Sequence, residues 1–145
     1  MQLSKFTDYG LQVLMRLAGT PNQAISTGKI AAEFQISHHH LAKVVRHLGH
    51  GGFVTSQRGR SGGLQLARPA QAITLGDVVR HLEQRFALVE CFRADGGSCL
   101  LRPRCRLRTR LADAQEAFMA ELDRSTIADC ALSEASSGGP PLAAE

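Results

Sequence analysis

Three cysteines fall within fifteen residues, as Cys91-x7-Cys99-x5-Cys105, in a segment that carries Asp95-Gly96-Gly97-Ser98. Short glycine-bearing loops let several thiolates converge on one centre, so the trio is a candidate metal site. The spacing is neither the C-x2-C knuckle of structural zinc nor a ferredoxin run. Three thiolates suffice for an iron–sulfur cluster if one iron takes another ligand, and a weakly held iron is where a small molecule attacks. Zinc with a borrowed fourth ligand, a thiol switch and three unligated thiols are the competing readings of the same spacing. Arg93, Arg102, Arg104, Arg106 and Arg108 surround the segment, where they would favour thiolates and offset the negative charge of a thiolate-held cluster. The fourth cysteine, Cys130, is isolated on a predicted helix and is expected to be a buried apolar residue.

A second group of residues is suited to nucleic acid. Residues 1–68 carry a net charge of +6 and residues 69–145 one of −2, and five of the six histidines lie in the first half. Such a basic half points to a polyanion or to a solvated face. His38, His39, His40, Lys43, Arg46 and His47 are the positions a helix would leave unburied if Leu41, Val44, Val45 and Leu48 face inward. These donors suit phosphate oxygens and the acceptors of base edges. Arg58-Gly59-Arg60-Ser61-Gly62-Gly63 adds a glycine-rich turn with arginines at its tip. Arginine so placed can enter a minor groove. The glycines match neither the P-loop nor the dinucleotide-binding pattern. Adjacent histidines on a helix point in different directions, so His38, His39 and His40 do not share one ion. No Ser-His-Asp or Cys-His constellation stands out, and the chain is not expected to be an enzyme.

The elements that would position these groups follow from periodicity. Leu11, Leu14, Leu17 and Ala18 predict a first helix stopped by Gly19, before the break Gly19-Thr20-Pro21-Asn22. Ser26 or Thr27 caps a second helix that also carries Lys29 and buries Ile30, Ala31 and Phe34. Gln35-Ile36-Ser37 is a tight turn whose serine is placed to cap a third helix ending at Gly49. Two short helices so joined form a helix-turn-helix. Phe53–Gln57 and Leu64–Leu66 read as the strands of a wing. Thr74 caps a helix with Leu75, Val78, Val79 and Leu82 on one face. A long helix from Arg106 bears the stripe Leu107, Leu111, Ala114, Phe118 and Leu122, taken as a contact with the same helix of a second chain. Ser125 is expected to cap a last short helix through Cys130.

The fold expected is mainly α, a winged helix-turn-helix with a long C-terminal dimerisation helix. Residues 1–84 form the DNA-binding domain, 85–105 the cysteine loop, 106–132 the dimerisation helix and short C-terminal helix, and 133–145 a disordered tail. Hydrophobic residues make up 43% and charged ones 21% of the 145, ordinary for a soluble globular chain. The first eight residues lack a signal-peptide core and no run is long and apolar enough to span a membrane, so a cytoplasmic chain is expected.

The opening Met1-Gln2-Leu3-Ser4-Lys5-Phe6-Thr7-Asp8-Tyr9-Gly10-Leu11, the Gly28-Lys29-Ile30-Ala31 helix, the wing Arg58–Gly63 and the clustered cysteines together resemble the nitric-oxide-sensing NsrR branch of the IscR-like winged-helix regulators. The resemblance covers about residues 1–132. It implies a homodimeric repressor of double-stranded operator DNA with one iron–sulfur cluster per subunit, of the 4Fe–4S kind, with 2Fe–2S as the alternative. It further implies that nitric oxide attacks the cluster and that the DNA is then released. By motif, Cys91, Cys99 and Cys105 carry over as ligands, and the branch's acidic residue near the start of the first helix maps to Asp8, donated across the dimer. Read from the sequence alone, Asp8 is a helix-capping or first-turn carboxylate before it is a ligand. The IscR branch places a histidine three residues after its last cysteine. Here Arg108 stands there and no histidine follows, which disfavours the IscR-type 2Fe–2S site. Cluster-free relatives that sense thiols or metabolites, and a small iron–sulfur electron carrier, are the alternative functions. A carrier has no need of a basic wing.

Overall fold

A computed structural model describes residues 2–59, 62–83 and 87–132. Arg60 and Ser61 at the wing tip, and the tail expected over 133–145, lie outside the described residues.

Helix α1 spans Lys5–Ala18. Ser4 Oγ accepts from the Thr7 amide at 3.2 Å and so satisfies a donor that the first turn leaves unpaired. Asp8 in the first turn and Arg16 in the last complement the helix dipole. Arg16 also pairs with Glu33 at 2.8 Å. Val13, Leu14 and Leu17 form the buried face. Helix α2 (Thr27–Glu33) is capped by Ser26, whose Oγ accepts from the Lys29 amide at 3.1 Å. Gln35 turns the chain with φ 55°, and α3 follows over His38–His50, one residue longer than the sequence reading. Ser37 flanks α3 but makes no side-chain capping bond, against expectation.

The wing is an antiparallel hairpin of β1 (Val54–Gln57) and β2 (Gly63–Leu66), in register Val54↔Leu66 through Gln57↔Gly63. Phe53 lies just before β1 and is buried. Ile25 adds a one-residue bridge to Leu64, with mutual backbone bonds of 3.0 and 2.8 Å. A Cβ on Gly63 would come within 2.7 Å of the Ile25 backbone, so this approach requires glycine.

Helix α4 (Leu75–Leu82) is capped by Thr74, which accepts from the Asp77 amide at 3.0 Å. Helix α5 runs over Arg106–Asp123 and packs on α4 through an ion pair of Arg80 with Asp123. That pair raises the Arg80 pKa and lowers that of Asp123. Beyond α5 the chain returns to the winged part. The Ile127 amide donates to Ile73 O at 2.9 Å, and the Leu132 amide donates to Met15 O at 3.0 Å. Residues Ala128–Cys130 form a 3-10 turn rather than the expected capped helix. Ser125 does not cap it. The Asp129 carboxylate instead accepts from the Thr126 amide at 2.7 Å. Cys130 is half-buried rather than fully buried.

One core unites these pieces. Leu14, Ile30, Leu41, Leu48, Ile73 and Ile127 are fully buried in it. Each such side chain contributes about 1.5–3 kcal/mol relative to exposure.

Candidate nucleic-acid interface and cysteine segment

The buried face of α3 is Leu41, Val44 and Leu48. At about 3.6 residues per turn, the opposite face is His39, Lys43, Arg46 and His50. All four are exposed, and α3 contains no acidic residue. His38 and His40 are exposed on the flanks. His50 was missed by the sequence reading, although its spacing from Arg46 and Lys43 places it on this stripe. His47 leaves the polar face. Its half-buried ring meets Phe6 edge-on, 5.1 Å between centroids. Lys29 on α2 and Arg58 at the end of the hairpin are exposed as expected. The helix and the hairpin thus present donors from two elements fixed on one core, the arrangement that reads grooves and phosphates together.

The cysteine segment is anchored at both ends. Cys91 lies in a 3-10 turn, Glu90–Phe92, and Cys105 immediately precedes α5. The Glu90 carboxylate accepts from the Ser98 amide at 3.1 Å and from Ser98 Oγ at 2.9 Å. These bonds, the backbone one first, hold the Glu90 carboxyl below its ordinary pKa. Glu90 and Ser98 each directly precede a cysteine, so this contact staples the Cys91 and Cys99 ends of the loop. Gly96 and Gly97 turn the chain between them with φ 75° and 59°. Cys91, Cys99 and Cys105 are free and half-buried. Among the described residues, no three His, Cys, Asp or Glu side chains are gathered closely enough to hold a metal ion. The donors are of the kind that binds iron–sulfur clusters. Asp8 is exposed in α1 and accepts from Gln12 Nε2 at 3.1 Å.

A cleft of about 640 Å³ opens where the segment meets α5 and α4, lined by Cys91, Phe92, Arg93, Arg102, Arg108 and Met119 among others. Arg108 lies over the Phe92 ring at 5.8 Å. Three of the five arginines expected around the thiols therefore line the same cleft as Cys91. Leu100, Leu101 and Leu107 are 95%, 71% and 63% exposed, and no residue of α5 is fully buried.

One group had no signal in the sequence. The Glu83 carboxylate, at the end of α4, accepts from Thr7 Oγ1 at 2.6 Å and from the amide and Oγ of Ser4 at 2.9 Å each. It ties the end of α4 to the start of α1. Burial pushes its pKa up, but the bonds from Thr7 and Ser4 outweigh this and hold it below the ordinary 4.5. A carboxylate with a depressed folded pKa stabilises the protein above its unfolded pKa and loses that contribution as pH falls through the folded value. Glu83→Ala is expected to cost about 1–3 kcal/mol near neutrality. Urea unfolding should show the gap to wild type narrowing as pH drops below the ordinary carboxylate range. A gap that is constant with pH contradicts this role.

Comparison with known proteins agrees with this geometry. The family model Rrf2, described as an iron-dependent transcriptional regulator, matches residues 3–132. The chain is 47% identical over 130 residues to the HTH-type transcriptional regulator NsrR of Geobacillus kaustophilus (strain HTA426), covering 89% of this chain and 88% of that one. It is 39% identical over 135 residues to the regulator of the same name from Shouchella clausii (strain KSM-K16), covering 92% and 91%. Among solved structures, T. potens IscR superposes with TM-score 0.72 at 25% identity over 89% of this chain and 85% of that one. CymR (YrzC), the global cysteine regulator of B. subtilis, superposes with TM-score 0.69 at 32% identity over 90% and 96%. With its winged helix, donor-lined α3 and long C-terminal helix, the chain belongs to the Rrf2 family of transcriptional regulators.

Proposed function

We propose that the chain is a homodimeric repressor whose binding to operator DNA depends on an iron–sulfur cluster that senses nitric oxide. The observation that carries this reading is the outer face of α3, which offers donors alone beside an exposed wing arginine, in a chain 47% identical to a regulator named NsrR. In this reading Lys29, His38, His39, His40, Lys43, Arg46, Arg58, Arg60 and Ser61 meet the DNA. Residues 1–84 are the reading head, 85–105 the sensing segment and 106–132 the dimerisation element. The exposed Leu100, Leu101 and Leu107 are apolar surface that a second copy covers. Among the described residues no helix is long and apolar enough to cross a membrane.

Cys91, Cys99 and Cys105 would hold the cluster, 4Fe–4S rather than 2Fe–2S, with Asp8 of the second subunit supplying an oxygen. When bound, the cluster supplies iron that reacts with nitric oxide. The chain's own part is to present three thiolates on a segment stapled by Glu90 and Ser98, and to line the cleft at Cys91 with guanidinium groups of Arg93, Arg102 and Arg108. Asp8→Ala is expected to leave the cluster absorbance in place and to speed its loss in air. An unchanged spectrum and an unchanged bleaching rate return Asp8 to the role of a first-turn carboxylate.

The reading is tested by iron and sulfide analysis of anaerobically purified protein, run beside a salt-dependent gel shift. Iron and sulfide bound in stoichiometric amounts, with preference for a selected DNA site over random DNA, support it. DNA binding without iron favours a cluster-free thiol-responsive regulator, a second reading to which the three free, half-buried thiols are also suited.

A further inference from the structure

We infer that His81 positions the recognition helix and the wing together against α4, and so against the segment that carries the thiols. His81 Nε2 lies 2.7 Å from His47 O. A carbonyl oxygen only accepts, so Nε2 carries the hydrogen. The same oxygen also accepts from the Gly51 amide at 3.0 Å. The last turn of α3 therefore receives at His47 O a second donor, from another helix, beside the bond from its own Gly51 amide.

The same imidazole reaches the wing. Its ring lies 5.3 Å from that of Phe53, tilted by 59°. Phe53 precedes β1 and is 3% exposed. The Arg68 guanidinium, just beyond β2, sits 4.9 Å from the centre of the same phenyl ring. The end of α3 and the Phe53 root of the hairpin thus meet at His81, and Arg68 at the other root joins them through the Phe53 ring. The fit leaves no slack, because a Cβ on Gly51 would come within 2.7 Å of His81 Nε2 and 2.6 Å of Phe53 Cε2.

His81 is also near the chain's exit toward the thiols. Two residues later Glu83 is fixed to Ser4 and Thr7, and the cysteine-bearing stretch follows. A shift of the α4 end displaces His47 O and Phe53 together. A hydrogen bond is directional, so this contact sets the orientation of α3 and the hairpin as well as adding stability. The DNA readout below rests on the repressor reading, and the amide readout does not.

The test compares His81→Leu with His81→Gln, whose amide N–H lies near the position of the lost Nε2–H. The DNA probe is a site selected from a random pool by the wild-type protein, with random duplex as control at the same salt. His81→Leu is expected to lower affinity for the selected site up to about tenfold, the scale of one lost hydrogen bond, while affinity for random DNA stays within about twofold. His81→Gln should recover most of the loss. Without DNA, the Gly51 amide should exchange faster with solvent in His81→Leu and regain protection in His81→Gln. Where leucine unfolds the domain, His81→Asn, polar but too short to reach, replaces it. Unchanged preference for the selected site, or unchanged Gly51 exchange, overturns the inference. A wild-type protein with no preference for any site overturns the repressor reading alone, and the exchange measurement then decides the role of His81.

Discussion

Alanine at Cys91, Cys99 or Cys105 is expected to abolish the visible absorbance of anaerobically purified protein and to lower affinity for its selected DNA site by about ten- to hundredfold. Cys130→Ala should leave both unchanged. The three positions share one segment, and the staple between Glu90 and Ser98 brings the approaches to Cys91 and Cys99 together. Cys130 sits elsewhere, in the 3-10 turn that packs back toward α1. Three thiolates are few for a cluster, so the loss of one leaves too weak a set. Should Cys130→Ala bleach the protein while one of the other three does not, the ligand assignment is wrong.

The second large effect is expected on the outer face of α3 and on the wing. Lys43 lies mid-helix on the stripe His39, Lys43, Arg46 and His50, where a side chain entering a major groove meets base edges. Lys43→Ala should cost about 1–3 kcal/mol at the selected site and relax its sequence preference. Arg58, exposed at the end of the hairpin, is placed for a phosphate. Arg58→Ala should weaken binding to all sequences alike and lower the salt slope by about one unit. Filter binding at several salt concentrations separates the two patterns. A Lys43→Ala variant with wild-type preference and an Arg58→Ala variant with the wild-type slope would place the DNA on another face.

The local signals carried most of the fold. Leu41, Val44 and Leu48 recur at helical spacing, and their burial fixes the phase of α3. Ser26 and Thr74 cap as their positions suggest, because the amide each serves is only three residues away. Ser37 occupies an equivalent position and makes no such bond, so residue type alone does not settle a cap. The same phase argument that placed Lys43 outward would have found His50 and shown that His47 turns aside toward Phe6.

Contacts between distant residues had no such signal. Glu83 meets Ser4 and Thr7 across 79 and 76 positions, and His81 meets His47 across 34. Nothing in the neighbourhood of either residue marks its partner. Ile127 is similar: it completes the core of the winged part from beyond α5, so that core draws on both ends of the chain. For the cysteines, sequence supplied the donor types and the structure supplied the staple between Glu90 and Ser98.

On the proposed reading, the state of the thiol segment decides DNA affinity. In a dimer, recognition helices must lie roughly 34 Å apart to enter successive major grooves. On that reading, a change in the thiol segment alters that spacing through the contacts of His81 with His47 and of Glu83 with Thr7. A ten- to hundredfold change needs about 1.4–2.8 kcal/mol of coupling, and linkage makes it reciprocal. The most direct measurement is the anaerobic affinity of cluster-loaded, cluster-free and nitric-oxide-treated protein for the selected site at one salt concentration. Cluster-loaded protein should bind about ten- to hundredfold more tightly than the other two forms. Equal affinity in all three forms would contradict the account, even with a cluster present.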